Sequence, residues 1–297
     1  MTGATVCGQL RHSPTGVVGV VAVKRRGASA TTTIGSDWST MDDYADLLTR
    51  HADLRAVPLP LTTADPDIVI ARLRSLPDVP KALLLIGFDT AAATHVQRAV
   101  RGENGPVIIT EADGLTAALG AAALTVLHRH GVTVRRGRIV ITGTAPPALG
   151  PLLARLNAGV ISSWHSYDAE DFPLRQVMTY HDVLVDLSGA ASEDLAPGRT
   201  ITLPESPYEH VSVALPGLLR GLCAHPHPRL DIDILAACSR GVALVTPAER
   251  MLPRADERRL VTSVAQRVQR ALNHGMKVHH AELHEPTRPP HSLRRTP

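Results

Sequence analysis

The residues best placed for chemistry sit in one turn. After the apolar run IVIT at 139–142 the chain reads GTAPPALG, residues 143–150, and continues into helix-forming sequence. A strand that passes to a helix through a glycine-rich turn can hold a dinucleotide pyrophosphate. The glycines let the backbone approach, and the free N–H groups of the helix face the anion. Here that glycine pattern becomes Gly143, Ala145 and Ala148, with Thr144 after the first position and Pro146 and Pro147 inside it. The Ala145 methyl stands where close approach is needed and each proline removes an N–H, so phosphate binding is expected to be weak. Proline near a first helical turn is also simply a good helix starter. The acid expected after the next strand, for a ribose hydroxyl, is Asp168, a position equally suited to a loop aspartate with no ligand.

Histidines and cysteines offer less. His225 and His227 stand in HPHP, where an extended, proline-stiffened segment would put both rings on one side, as a transition metal requires. No third ligand follows at a defined spacing, and a solvated loop is the better reading; His279 and His280 are a second, adjacent pair. Cys7, Cys223 and Cys238 are odd in number and lack CxxC spacing, which argues against a disulfide framework and a zinc knuckle.

These groups must be carried by an aliphatic core, since 44% of residues are hydrophobic but only 3% aromatic. Net charge is +3, with the basic excess in the run Lys277 to Arg295 rather than on a face interleaved with aromatics, so nucleic-acid binding is not expected. No leader-like N-terminus and no run long enough for a bilayer is present, which leaves the cytoplasm as the expected location and no membrane as partner.

The apolar runs VVGVVAV (17–23), AVPLPL (56–61), ALLLI (82–86) and VII (107–109) read as strands, with helices expected over 41–51, 68–76 and 90–101. LTAALGAAALTVLH (115–128) is apolar on nearly every side and predicts a buried helix; IVIT, the helix through 158, and VISSWH (160–165) form one βαβ step. VLVDL (183–187) and SVAL (212–215) read as further strands, and helices are expected over 231–237 and 256–273, the latter with Leu260, Val261, Val264, Val268 and Leu272 on one face. Strands alternating with helices predict an α/β protein: an N-terminal α/β domain plus a Rossmann-like domain with a doubly wound parallel sheet. The expected boundaries are 1–110, 111–276, and a basic tail, 277–297, without apolar period and expected to be disordered.

Five stretches in order, over roughly residues 15–273, resemble the bacterial type of malic enzyme, the oxidative decarboxylases of malate. VVGVVAV with MDDYADLLTRHADLRAVPLPL is similar to that family's strand and helix before the active site. PVIITEADGLTAALGAAAL (106–124) is similar to its PVFHDDQHGTA segment and the helix after it. RIVITGTAPPALGPLLARLNAGV (138–160) is similar to its nucleotide-binding unit, VALPGLLRGLCA (213–224) to its FPGxFRG segment, and 231–273 to its closing helices. The resemblance implies NAD or NADP and a divalent metal, Mg or Mn, which would polarise the carbonyl and stabilise the enolate. It places two metal carboxylates near LIGFDT (85–90), where only Asp89 is acidic, and a third in TEADG (110–114), where Glu111 and Asp113 are candidates and Ala112 falls on the ligand position itself. The same acids suit loop carboxylates or a helix cap near Thr116. Where the family writes EGKA, with its catalytic lysine, this chain has Asp42, Asp43, Tyr44 and Ala45. Tyr44 thus replaces the lysine, and a phenol titrating near 10 is a poor base at neutral pH. The family's proton-donating tyrosine belongs to an N-terminal segment after which this truncated chain is expected to begin; His12 to Gly16 is a faint echo without tyrosine.

The joint loss of lysine, tyrosine, paired carboxylates and glycines predicts a catalytically degenerate, malic-enzyme-like binding or regulatory paralogue, with nicotinamide and metal binding weak or lost. A small organic acid is its expected ligand, and a homodimer, or a heteromer with a full-length relative, its expected assembly. The alternative is an active NAD(P)- and metal-dependent oxidoreductase of malate or a related 2-hydroxy acid. A second alternative, a methylenetetrahydrofolate dehydrogenase-like protein, draws on 138–190 with His165 and Ser166 but does not account for 213–273.

Overall fold

The structure, a computed structural model, describes residues 16–23, 38–76, 79–100, 105–192, 194–203 and 206–283. Two four-stranded sheets, all parallel in their pairings, carry helices on both faces, as an α/β fold requires. The first contains β1 (Val17–Val23), β2 (Arg55–Leu61), β3 (Ala82–Ile86) and β4 (Val107–Thr110) in the order β2-β1-β3-β4. Its crossovers are α1 (Trp38–His51), α2 (Pro66–Arg74) and α3 (Thr90–Val100). After α4 (Glu111–Arg129), the second sheet contains β5 (Arg138–Thr142), β6 (Val160–Trp164), β7 (Val183–Asp186) and β8 (Thr200–Thr202) in the order β6-β5-β7-β8, with α5 (Leu149–Arg155) and α6 (Leu174–Val177). The chain closes with α7 (Pro207–Cys223), α8 (Ile232–Val245) and α9 (Leu260–Leu283).

The wholly apolar β3 is explained by this layering. Leu84 and Ile86 face the large core shared with α1, α4 and α7, while Leu83 and Leu85 face α2 and α3 on the other side. The large core continues from the first sheet, through α4, α7, α8 and α9, to the inner face of the second. Val140 and Leu184 belong to a smaller cluster, with Trp164 and Met178, on that sheet's outer face.

Two features depart from the sequence expectation. SVAL at 212–215 is not a strand but the middle of α7, wholly buried. A short apolar run buried on all sides has no period by which strand and helix differ. The sheet's last strand is instead the three-residue β8. Helix α9, whose stripe from Leu260 to Leu272 packs against α7 and α8, runs on to Leu283 through the first residues of the expected tail. Residues 284–297 of the expected tail, together with Cys7, His12 and Lys24, lie outside the described residues, as do the side chains of His279 and His280.

The edge strand β2 carries its own protection. Arg55 N donates to Gly16 O, so the N–H groups of alternate residues 55, 57, 59 and 61 face β1. Pro58 and Pro60 occupy outward positions, where an N–H would otherwise invite another strand.

Candidate functional site

A cleft of about 380 Å³ opens between the β3–α3 connection, the start of α4 and the turn 144–148. Asp89, Glu111 and Asp113 line it from one side, Thr144 and Ala145 from the other. Tyr44 lies behind the lining, fully buried on α1, and donates to Glu111.

Each carboxylate has local work. Asp89 precedes α3, and its Oδ1 accepts from Ala92 N at 2.8 Å, the geometry of a helix N-cap. Thr110 caps α4. Its Oγ1 accepts from Asp113 N at 3.2 Å, and Asp113 Oδ2 accepts in return from Thr110 N at 2.8 Å. The same Oδ2 also accepts from Thr110 Oγ1 at 2.8 Å and Gln97 Nε2 at 3.2 Å. Burial raises the Asp113 carboxyl above its ordinary pKa, against the pull of the Thr110 and Gln97 bonds. Glu111 is buried; its Oε1 accepts from Tyr44 OH at 2.9 Å and its Oε2 from Gly87 N at 3.2 Å. The Tyr44 ring meets Tyr208 edge-on, with centroids 4.9 Å apart. Among the described residues no three His, Cys, Asp or Glu side chains converge as a metal site would need.

The turn is built around Gly143, at φ +72°, where a Cβ would stand 2.9 Å from Ser188 N and 3.0 Å from the Leu187 carbonyl carbon. The glycine thus admits the backbone of the β7 exit. Pro146 and Pro147 face the cleft without N–H groups, and Leu149 N is spent on Pro146 O at 2.9 Å. Helix α5 begins only at Leu149, with no side-chain cap on Ala148. Asp168 is not part of the cleft lining; its Oδ2 accepts from His165 N at 3.0 Å, closing the short turn after β6.

One acid escaped the sequence reading. Asp186 ends β7 and is buried. Its Oδ1 accepts from Thr142 Oγ1 at 2.5 Å, Ser188 N at 3.2 Å, Ser188 Oγ at 3.1 Å and Ala190 N at 3.2 Å, and its Oδ2 from Ala191 N at 2.8 Å. Burial alone would raise its pKa, but the bonds from Thr142 and the 188–191 backbone prevail and hold it below the ordinary carboxylate value. An acid closing the buried run VLVD was the available signal.

The histidine pair does not share a side. His225 is buried, with Nδ1 3.0 Å from His227 O, whereas His227 is exposed. Burial pushes the thiols of Cys223 and Cys238 up to about 12, which removes them as nucleophiles.

No protein-family profile matches the sequence, and no curated protein matches it. Solved structures do match. The NAD-dependent malic enzyme of Thermotoga maritima aligns with a TM-score of 0.67 at 15% identity, over 87% of this chain and 85% of that one. The malic enzyme of Pyrococcus horikoshii aligns at 0.69 and 14%, over 89% and 78%, and that of Entamoeba histolytica at 0.67 and 17%, over 89% and 71%. The fold is that of the malic enzymes. At these identities the malic-enzyme fold is what is shared, and the chemistry of the cleft has to be argued from its own side chains.

Proposed function

We propose that this protein is a catalytically degenerate relative of the malic enzymes that uses the inter-sheet cleft for binding or regulation. The observation that carries this reading is the commitment of the cleft carboxylates. Asp89 and Asp113 cap helices, and Glu111 accepts from Tyr44 and Gly87. A hard divalent cation needs several carboxylate oxygens directed at one point, and these residues do not fit that demand. Nor does the turn fit a nicotinamide dinucleotide: Pro146 and Pro147 line it without donors, and Ala145 adds a methyl. No step is therefore derived through either group. Among the described residues no lysine lines the cleft; Lys81 donates instead to Cys223 O at 3.0 Å. Tyr44 donates to Glu111 and acts as a buried tether for it. The assembly that accompanies this reading is a homodimer, or a heteromer with a longer relative.

Calorimetric titration with NAD and NADP is expected to show affinity weaker than about 1 mM, whose binding free energy is only about 4 kcal/mol. Malate with Mn²⁺ and either nucleotide should give no reduction at neutral pH. Micromolar nucleotide binding would overturn the proposal. Turnover abolished by Tyr44→Phe would establish the alternative, an active oxidoreductase with Tyr44 as its base.

A further inference from the structure

A second chamber of about 730 Å³ adjoins the cleft, sharing Thr94, Gln97, Asp113, Pro147 and Ala148 as a common wall. The two chambers differ in charge. Among the described residues the inner one is lined by Asp89, Glu111 and Asp113 and by no Lys, Arg or His. An anion placed there meets carboxylates with no described cation beside them. The outer one adds cations to its carboxylates: Arg98 from α3, and His227 and Arg229 from the α7–α8 connection, stand beside Asp231 and the shared Asp113. Arg98 has no ion-pair partner among the described residues, while Arg229 meets Asp231 through Nε at 3.1 Å.

The HPHP segment explains how the cations come to face the chamber. His225 is buried and its Nδ1 lies 3.0 Å from His227 O and 3.2 Å from His227 N, so the ring pins the backbone of the next turn. Its buried Nε2 has no hydrogen-bond partner. The tautomer with hydrogen on Nδ1 donates to the His227 carbonyl and leaves at Nε2 a lone pair rather than a stranded N–H. With His225 serving as the peg, His227 and Arg229 line the outer chamber together with Arg98.

We propose that the outer chamber binds an oxyanion, the phosphate or carboxylate end of a small molecule whose uncharged or cationic remainder occupies the inner chamber. Two guanidinium groups, one from α3 and one from the α7–α8 connection, offer planar, forked donors suited to either oxyanion. The carboxylates of the inner chamber then select against ligands charged negatively at both ends. The inference does not depend on whether catalysis survives, since none of its cations belongs to the cleft discussed above.

The test is calorimetric titration of the full chain at low ionic strength with inorganic phosphate and, separately, with acetate, a monocarboxylate. Saturable binding of at least one is expected, and the stronger of the two identifies the source of the oxyanion. Arg98→Gln and Arg229→Gln should each weaken it by about tenfold, added salt should weaken it further, and Arg98→Lys should fall between wild type and Arg98→Gln. Neither arginine is buried, so circular dichroism and melting temperature should be unchanged and would confirm that the variants fold. Absence of saturable binding of both probes to the wild type would overturn the proposal, as would a double variant that binds as the wild type does. The nucleotide and turnover assays address the other reading separately, and a failure of either proposal leaves the other standing.

Discussion

Asp186 is the residue on which the turn after β5 depends. Its carboxylate joins the end of β5, through Thr142, to the backbone of residues 188–191, which passes Gly143 too closely for any side chain there. Because its folded pKa lies below the unfolded value of about 3.9, its contribution to stability is complete above that value. It is lost as pH falls through the folded pKa. Asp113, whose pKa burial raises, acts with the opposite sign: its ionisation as pH rises through the same region opposes folding. Asp186→Asn should cost about 2–3 kcal/mol, because an amide cannot accept from every one of these donors. It should also shallow the loss of stability below about pH 4. Urea melts of both proteins across the acid range would measure this, and an unchanged acid limb would show that Asp186 is not the linked group.

At the scale of elements, close helix contacts depend on missing side chains. A Cβ on Gly114 of α4 would stand 2.8 Å from Val211 Cγ1 on α7, with Val211 Cβ at a comfortable 3.6 Å. Gly114→Ala should therefore destabilise by about 1–3 kcal/mol, and Val211→Ala should recover much of that by removing the offending methyl. Gly217 differs: its added Cβ would stand 2.4 Å from Val264 Cβ itself, an atom that Val264→Ala retains. Thermal melts should show rescue at the first pair and little at the second, and equal rescue at both would refute this account of the packing. The prolines of β2 make a different claim. Pro58→Val with Pro60→Val restores outward N–H donors along the edge, so light scattering on heating should show aggregation that the parent lacks. A doubly substituted chain that stays monodisperse would show that the edge is covered in another way.

The whole molecule is held by one inner core. Leu84, Ile86 and Ile109 of the first sheet share it with Ile139, Val183 and Val185 of the second, through α4, α7, α8 and α9. A fragment ending at residue 110 would keep α1 but lose α4 and α7 from the inner face of its sheet. It should remain largely unfolded by circular dichroism, and the full described chain should melt in a single calorimetric transition. Two separate transitions, or a folded fragment, would mean that the two sheets are independent units. The same joint places the inner and outer chambers between the lobes, so ligand binding and stability of the joint should be linked.

What the sequence determined by itself is whatever one strand or helix reports locally. The buried runs at 17–23, 82–86 and 139–142, the all-round apolar helix after Thr110, the proline-broken turn after Gly143 and the order of strands and helices up to residue 165 were legible because strand and helix periods are properties of neighbouring residues. The cap near the start of α4 was legible as one of two readings of its acids. Tertiary structure decided the rest. It assigned 212–215 to a helix, because a run buried on every side carries no period. It joined Tyr44 to Glu111, 67 positions apart, and set Asp186 as the acceptor for a turn 44 positions earlier. It also separated the buried His225 from the exposed His227 and put Arg98 and Arg229 in one chamber. Hydrogen bonds and charges act over a few ångströms of space, whereas the sequence orders residues only along the chain. Such long-range pairs therefore come into being only when the two sheets are joined.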